Sequence, residues 1–235
     1  MSGGILNISL DTETWGKRAG FDVRSIGACV FNPYTGEVPD KDSLSNVEGS
    51  PVFYMACDNP LKDHAIALQK LSGLYDSQAL LLDGSYRKYN LKRDPITVGW
   101  WAGQPKEAQK AFDNPVDLAE VLSQFDLWLK SHGVDNKNQN SLRLWTHGAA
   151  FDTPITEELY YAVFEMSQDK ENFTPWHYRA PRDTRTLFDL AHVGDHSEWL
   201  SHHSCGTLHH ALHDAIGQAK AISAAICKIE GINDI

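Results

Sequence analysis

From residue 6 the chain alternates. Leu6, Ile8, Leu10 and Thr12 hold one parity, and Asn7, Ser9, Asp11 and Glu13 hold the other. A period of two predicts a β-strand with an apolar face. Residues two apart on a strand project to the same side, so Asp11 and Glu13 project together. A loop follows over Trp15–Gly20, and the apolar, β-prone run Val23–Phe31 predicts a second strand. Asn32-Pro33-Tyr34-Thr35-Gly36 supplies turn chemistry, after which Glu37-Val38 reads as the start of a third strand.

Over about 39–95 the apolar pieces are short, and one short helix is expected at His64–Leu71. Ser85–Arg93 interleaves two tyrosines with four cations. It fits a nucleic-acid contact through phosphates and stacked bases, and equally a solvated basic loop. Trp100 and Trp101 precede a helix expected to begin near Pro105, since proline is tolerated in a first turn. Adjacent side chains diverge, so one indole is expected in the core and the other is free to stack a base. Pro115–Ser131 carries apolar residues at helical spacing, and Leu142–Thr146 predicts a short strand. A helix follows Asp152, with Thr153 as N-cap and Pro154 in its first turn. Residues 182–190 lead into a helix or strand, and the last helix runs from about His209 to Glu230.

A chain of 235 residues, 42% hydrophobic, can bury a sizeable core. No apolar run approaches the roughly 20 residues that span a membrane. The start shows no charged segment leading into an apolar one, so no signal peptide is expected. Cys29, Cys57, Cys205 and Cys227 are scattered, as in a reduced, cytoplasmic protein. A net charge of −10 argues against tight, non-specific duplex binding. It leaves room for a nuclease whose metal ions supply positive charge locally.

Three acidic sites recur along the chain. Asp11 and Glu13 share a strand side, where two carboxylates repel unless a cation lies between them. Asp152 follows Gly148-Ala149-Ala150-Phe151 where a strand gives way to a helix. Asp214 closes His209-His210-Ala211-Leu212-His213-Asp214.

Asp-x-Glu on a leading strand, Phe-Asp after small residues, and His-x-x-x-x-Asp-Ala, in that order, resemble the DEDDh 3′–5′ exonucleases. The pieces Trp100-Trp101-x-x-Gln104, Trp145-x-x-Gly148 and Arg182-Asp183-x-Arg185 further resemble a subgroup of phage exonuclease A, prophage exonuclease VIII-like and mycobacterial exoribonuclease-like proteins. Pro105 and Gly148 are small departures from the pattern. The resemblance implies an α/β, RNase H-like fold with a mixed central β-sheet flanked by α-helices. It implies one exonuclease domain over 1–235, with a loop-rich enlargement at about 39–95. The implied ligands of two Mg²⁺ or Mn²⁺ ions are Asp11, Glu13, Asp152 and Asp214. The implied general base is His209, and the implied substrate contacts are Thr12, Trp100, Trp101, Phe151 and Arg185. The substrate would be the 3′ end of single-stranded nucleic acid, with DNA slightly ahead of RNA.

The chemistry suits these residue types. Two divalent cations about 3.5–4 Å apart can clamp the attacking and leaving oxygens of a phosphodiester. A histidine titrating near neutrality can take the proton of the attacking water. On a continuous helix, however, His210 stacks one turn before Asp214 and His209 lies about 140° away. His209 therefore serves only from a loop or the helix start. Two other readings remain: a zinc site in the cluster His202, His203, His209, His210 and His213, and a non-catalytic nucleic-acid-binding module on a decayed nuclease fold.

Overall fold

Both parities of the first strand are covered, because Ile8, Leu10 and Ser9 are all fully buried. The computed structural model describes residues 5–45, 47, 49–71, 77–164 and 174–232. Within these, β1 (Leu6–Thr14), β2 (Val23–Phe31), β3 (Val52–Asp58), β4 (Val116–Asp117), β5 (Leu142–Thr146) and β6 (Pro181–Asp183) form one sheet. Its spatial order is β4-β3-β2-β1-β5-β6. β2 runs antiparallel to both of its neighbours, β1 and β3, while β3–β4, β1–β5 and β5–β6 pair parallel. Parallel neighbours need crossovers. The helices are α1 (Asp63–Lys70), α2 (Ser77–Leu82), α3 (Pro95–Ala102), α4 (Lys106–Lys110), α5 (Leu118–Ser131), α6 (Asp152–Phe164), α7 (Thr184–Leu190), α8 (His196–His203) and α9 (Ala211–Glu230).

The sheet separates two apolar layers. Ile8, Leu10, Ile26 and Ala28 pack with Leu122 and Phe125 of α5 and Ile155 and Leu159 of α6. Cys29 and Phe31, of the opposite parity, pack with Leu212, Ile216 and Ile222 of α9. Gly27 sets the depth of α9. A Cβ there would lie 2.2 Å from Leu212 N and the Ala211 carbonyl carbon. Gly27 pairs with Asp11, so the start of α9 is seated over that part of β1. The register slips between Glu13 and Thr14: Glu13 faces Ser25, Thr14 faces Val23, and Arg24 bulges out between them.

Several expected boundaries move. Glu37-Val38 is irregular, and the third strand is β3, inside the stretch expected to be loop-rich. β3 is covered on both faces and lacks a clean alternation, which hid it. The tryptophans lie in a helix of their own, α3, capped by the Asp94 carboxylate accepting Ile96 N–H at 3.1 Å, while the helix expected near Pro105 does follow it, as α4 from Lys106. Residues 115–131 divide where Asp117 accepts Ala119 N–H and caps α5, leaving Val116 to pair with Cys57. α6 begins at Asp152 itself, so Thr153 is not its cap. Residues 182–190 divide at Asp183, which caps α7. α9 begins at Ala211, because His209 takes a left-handed φ of 60° that no helix continues. α8 had no expectation.

The basic run does not form a strand-binding surface. Arg87 is buried and donates to the carbonyls of Asn59 and Leu81 at 2.8 Å. Lys88 and the Tyr89 hydroxyl bind Asp117, and Arg93 pairs with buried Asp22 at 2.9 Å. These residues lace 85–93 to the sheet. The four cysteines are free, and among the described residues no helix is long and apolar enough to cross a membrane.

Candidate active site

The carboxyl end of β1 faces a cavity of about 970 Å³. All ten residues singled out in the sequence line it: Asp11, Thr12, Glu13, Trp100, Trp101, Phe151, Asp152, Arg185, His209 and Asp214. They arrive from separate elements. β1 brings Asp11, half-buried, and Glu13, buried. α6 brings Asp152 from one side of the sheet, where its Oδ1 accepts Thr12 N–H at 3.2 Å and Thr12 Oγ1–H at 2.7 Å. Thr12 is thus buried and hydrogen-bonded to Asp152 while it lines the cavity. α9 brings Asp214 from the other side. The donor atoms of Glu13, His209 and Asp214 lie within 4.8 Å of one another.

All four carboxyl groups are held above their ordinary pKa. Burial is the first cause throughout. For Asp11 the charges of Asp152, Glu13 and Asp214 add to it, and for Glu13 those of Asp214 and Asp152. Thr12 opposes the rise at Asp152. Backbone N–H groups of His209 and His210 oppose it at Asp214. Four desolvated carboxylates facing one another are a poor arrangement for an empty protein and a good one for hard cations with oxygen ligands. The residues present therefore fit a divalent metal centre.

His209 satisfies the condition set for it. It sits on the turn ahead of α9, its ring edge-on to Trp100 at 4.9 Å and Trp101 at 6.0 Å. Burial lowers its pKa, so the ring is neutral and able to accept a proton near pH 7. His210 turns away. It stacks between Tyr54 at 4.2 Å and His213 at 4.0 Å, and burial with the neighbouring His213 brings its pKa to about 4.

The tryptophans separate as expected. Trp101 is 2% exposed and donates its indole N–H to Thr14 O at 2.8 Å. It anchors the end of β1 and lines the cavity. Trp100 is 46% exposed at the rim, beside Ile96 and Leu208, which are 80% and 61% exposed. Gly148, with φ of 103°, makes room for Arg185: a Cβ there would lie 3.1 Å from the guanidinium carbon.

Sequence reasoning missed Gln218, His147, Lys17, Ile96 and Leu208, all lining the same cavity. Gln218 was within reach, since it follows Asp214 by four residues and so shares its helix face. The zinc reading fails on geometry. His202 lies beside Glu198 on the exposed face of α8, His203 Nδ1 binds Trp199 O, and His213 Nδ1 accepts Thr207 N–H. Among the described residues the one cluster with metal-ligand spacing is Glu13, His209 and Asp214.

Residues 6–226 match the family described as the 3′-5′ exoribonuclease Rv2179c-like domain. The chain belongs to this family. By its description that family is one of 3′–5′ exoribonucleases, in agreement with the DEDDh-type resemblance of the motifs, and it implies dependence on a divalent metal. The fold is similar to that of E. coli exonuclease I in a complex with a 5cy-dT13 oligonucleotide, with a TM-score of 0.51 and 13% identity. That likeness covers 97% of this chain and 41% of the exonuclease, and it marks the sheet and its helices as the RNase H-like nuclease fold. Comparison with curated proteins gives no match.

Proposed function

We propose that this exonuclease trims single strands from the 3′ end with two Mg²⁺ or Mn²⁺ ions held by Asp11, Glu13, Asp152 and Asp214, with His209 as general base. One observation carries the reading: four carboxylates meet in a desolvated cleft, and among the described residues none of them forms an ion pair. When bound, the cations would activate water and neutralise charge on the leaving oxygen. His209, neutral at pH 7, takes the proton of the water that attacks the terminal phosphodiester. The bond from phosphorus to the 3′ oxygen of the preceding nucleotide breaks, and a nucleoside 5′-monophosphate departs. Trp100 and Phe151 receive bases, and Arg185 with Lys17 contacts phosphates at the cleft wall.

RNA ranks ahead of DNA as substrate, reversing the slight leaning of the sequence reading. The family description concerns exoribonucleases and covers residues 6–226, whereas the oligonucleotide-bound neighbour shares only the fold. Residues 1–235 act as one domain in this proposal, in the cytoplasm. The test is digestion of matched 5′-labelled RNA and DNA single strands. A ladder of shortening products that needs Mg²⁺, with RNA consumed faster, is expected. Undiminished activity in excess EDTA, or rapid cutting of a covalently closed single-stranded circle, contradicts the proposal.

A further inference from the structure

The carboxylates at the candidate centre differ in what holds them. Asp152 has two donors from Thr12, and Glu13 and Asp214 lie close to each other and to His209. Asp11 is held by one group, the Gln218 side chain, whose Nε2–H donates to Asp11 Oδ1 at 2.7 Å. Gln218 lies one turn after Asp214 on α9, is 5% exposed, and lines the cleft. Its amide oxygen has no partner among the described residues, although its surface is fully covered. Leaving a buried amide acceptor unpaired is unfavourable. A glutamine kept only for packing α9 against β1 gains nothing from that oxygen, and an apolar side chain would fill the space without the cost.

We infer that Gln218 is a positioning residue for the metal centre: its amide N–H₂ fixes the Asp11 carboxylate. This rests on the proposed metal centre. The glutamine makes a rigid link between two ligands, since the helix that carries Asp214 also orients Asp11. Groups that orient metal ligands without touching the metal commonly change affinity by roughly 10–100-fold.

The test is Mn²⁺ binding followed by electron paramagnetic resonance, without nucleic acid, on wild type and Gln218→Met. Methionine keeps the length and the burial and removes both hydrogen-bonding atoms. The expected result is Mn²⁺ affinity lower by roughly 10-fold or more, with an altered Mn²⁺ spectrum and KM for a single strand unchanged at saturating metal. If Gln218→Met melts early, Gln218→Asn, which withdraws the amide by one methylene, is expected to lose affinity in the same way. Binding within twofold of wild type in a natively melting variant overturns the inference while leaving the metal centre standing. A wild-type protein that takes up no Mn²⁺ overturns both.

Discussion

The hairpin that carries Asp11 and Glu13 carries a third acid in its first covered turn, and the contrast is instructive. Asp22 is fully buried, more so than Asp11. Burial raises its pKa too, but Arg93 at 2.9 Å and the Val23 N–H at 3.0 Å oppose the rise. Asp22 is a finished structural unit, a carboxylate with its counter-charge. Asp11, Glu13, Asp152 and Asp214 have burial, one another's charge and neutral donors, and although Arg24 and Arg185 lower Glu13 and Asp152, neither forms an ion pair with them. Burial of an acid thus says little about function by itself. What marks the cleft is that its charge is left uncompensated by the protein, so that compensation falls to something bound.

The largest effect expected from this contrast is a reversal of sign. Asp214→Asn should abolish turnover, because a cation loses a charged ligand. It should also raise the melting temperature of the chelated protein, because it removes repulsion. Asp22→Asn should do the opposite: the turnover of folded molecules survives, and stability falls by about 3 kcal/mol as Arg93 is left poorly paired. Turnover and melting in EDTA check both variants. If the two substitutions change melting in the same direction, the division between the two kinds of acid is wrong.

Next in size is the base. His209→Ala should slow turnover by roughly 10²–10⁴-fold with little change in strand binding. His210→Ala should cost much less, since that ring packs against Tyr54 and His213. A reversed order of sensitivity would return the role to His210.

What the sequence made legible follows the same line. The carboxylates were readable because metal chemistry restricts them to a few residue types at fixed places in order. β1, β5 and the bodies of α5 and α9 were readable from their periods. β3 was not, because a strand covered on both faces loses its alternation. The start of α9 was misplaced by two residues, and that shift is what moves His209 out of the helix and toward the carboxylates. Arg87 and Arg93 looked like strand-binding cations because a sequence does not reveal which charges are spent inside the fold. The place of Gln218 one turn after Asp214 was legible, but its partner was not, because Asp11 is distant in the chain.

The pH dependence of metal stabilisation sharpens the contrast further. A carboxyl group whose pKa is raised in the folded protein binds more protons folded than unfolded at intermediate pH. Its contribution is therefore favourable at low pH and is lost as pH rises from the ordinary values, 3.8 for Asp and 4.5 for Glu, to about 8, the level of Glu13. Metal binds the ionised form and cancels that loss. The increase in melting temperature caused by Mg²⁺ over EDTA should accordingly grow from pH 5 to pH 8. Asp22 contributes equally to both curves and drops out of the difference. An increase that stays flat with pH would mean the four acids are ordinary.

The smallest effect concerns the two adjacent indoles, which repeat the contrast between a finished and an unfinished group. Trp101 is enclosed, its N–H spent on Thr14 O and its ring packed edge-on to Phe112 at 5.1 Å. Trp101→Ala should destabilise the fold by about 3–5 kcal/mol. It should also loosen the end of β1 that carries Glu13. Trp100 turns its ring edge toward His209 and leaves nearly half its surface open at the cleft rim. Trp100→Ala should leave melting nearly unchanged and weaken single-strand binding by about 1–3 kcal/mol, the usual worth of one stacked base. Binding is best measured in Ca²⁺, to keep the strand intact. Because the indole also borders His209, Trp100→Phe gives the finer comparison: a smaller ring still offers a face to a base, and most of the affinity should return. If affinity is untouched in Trp100→Ala while turnover falls, the indole serves to hold His209, and the base lies elsewhere along the rim, against Ile96 or Leu208.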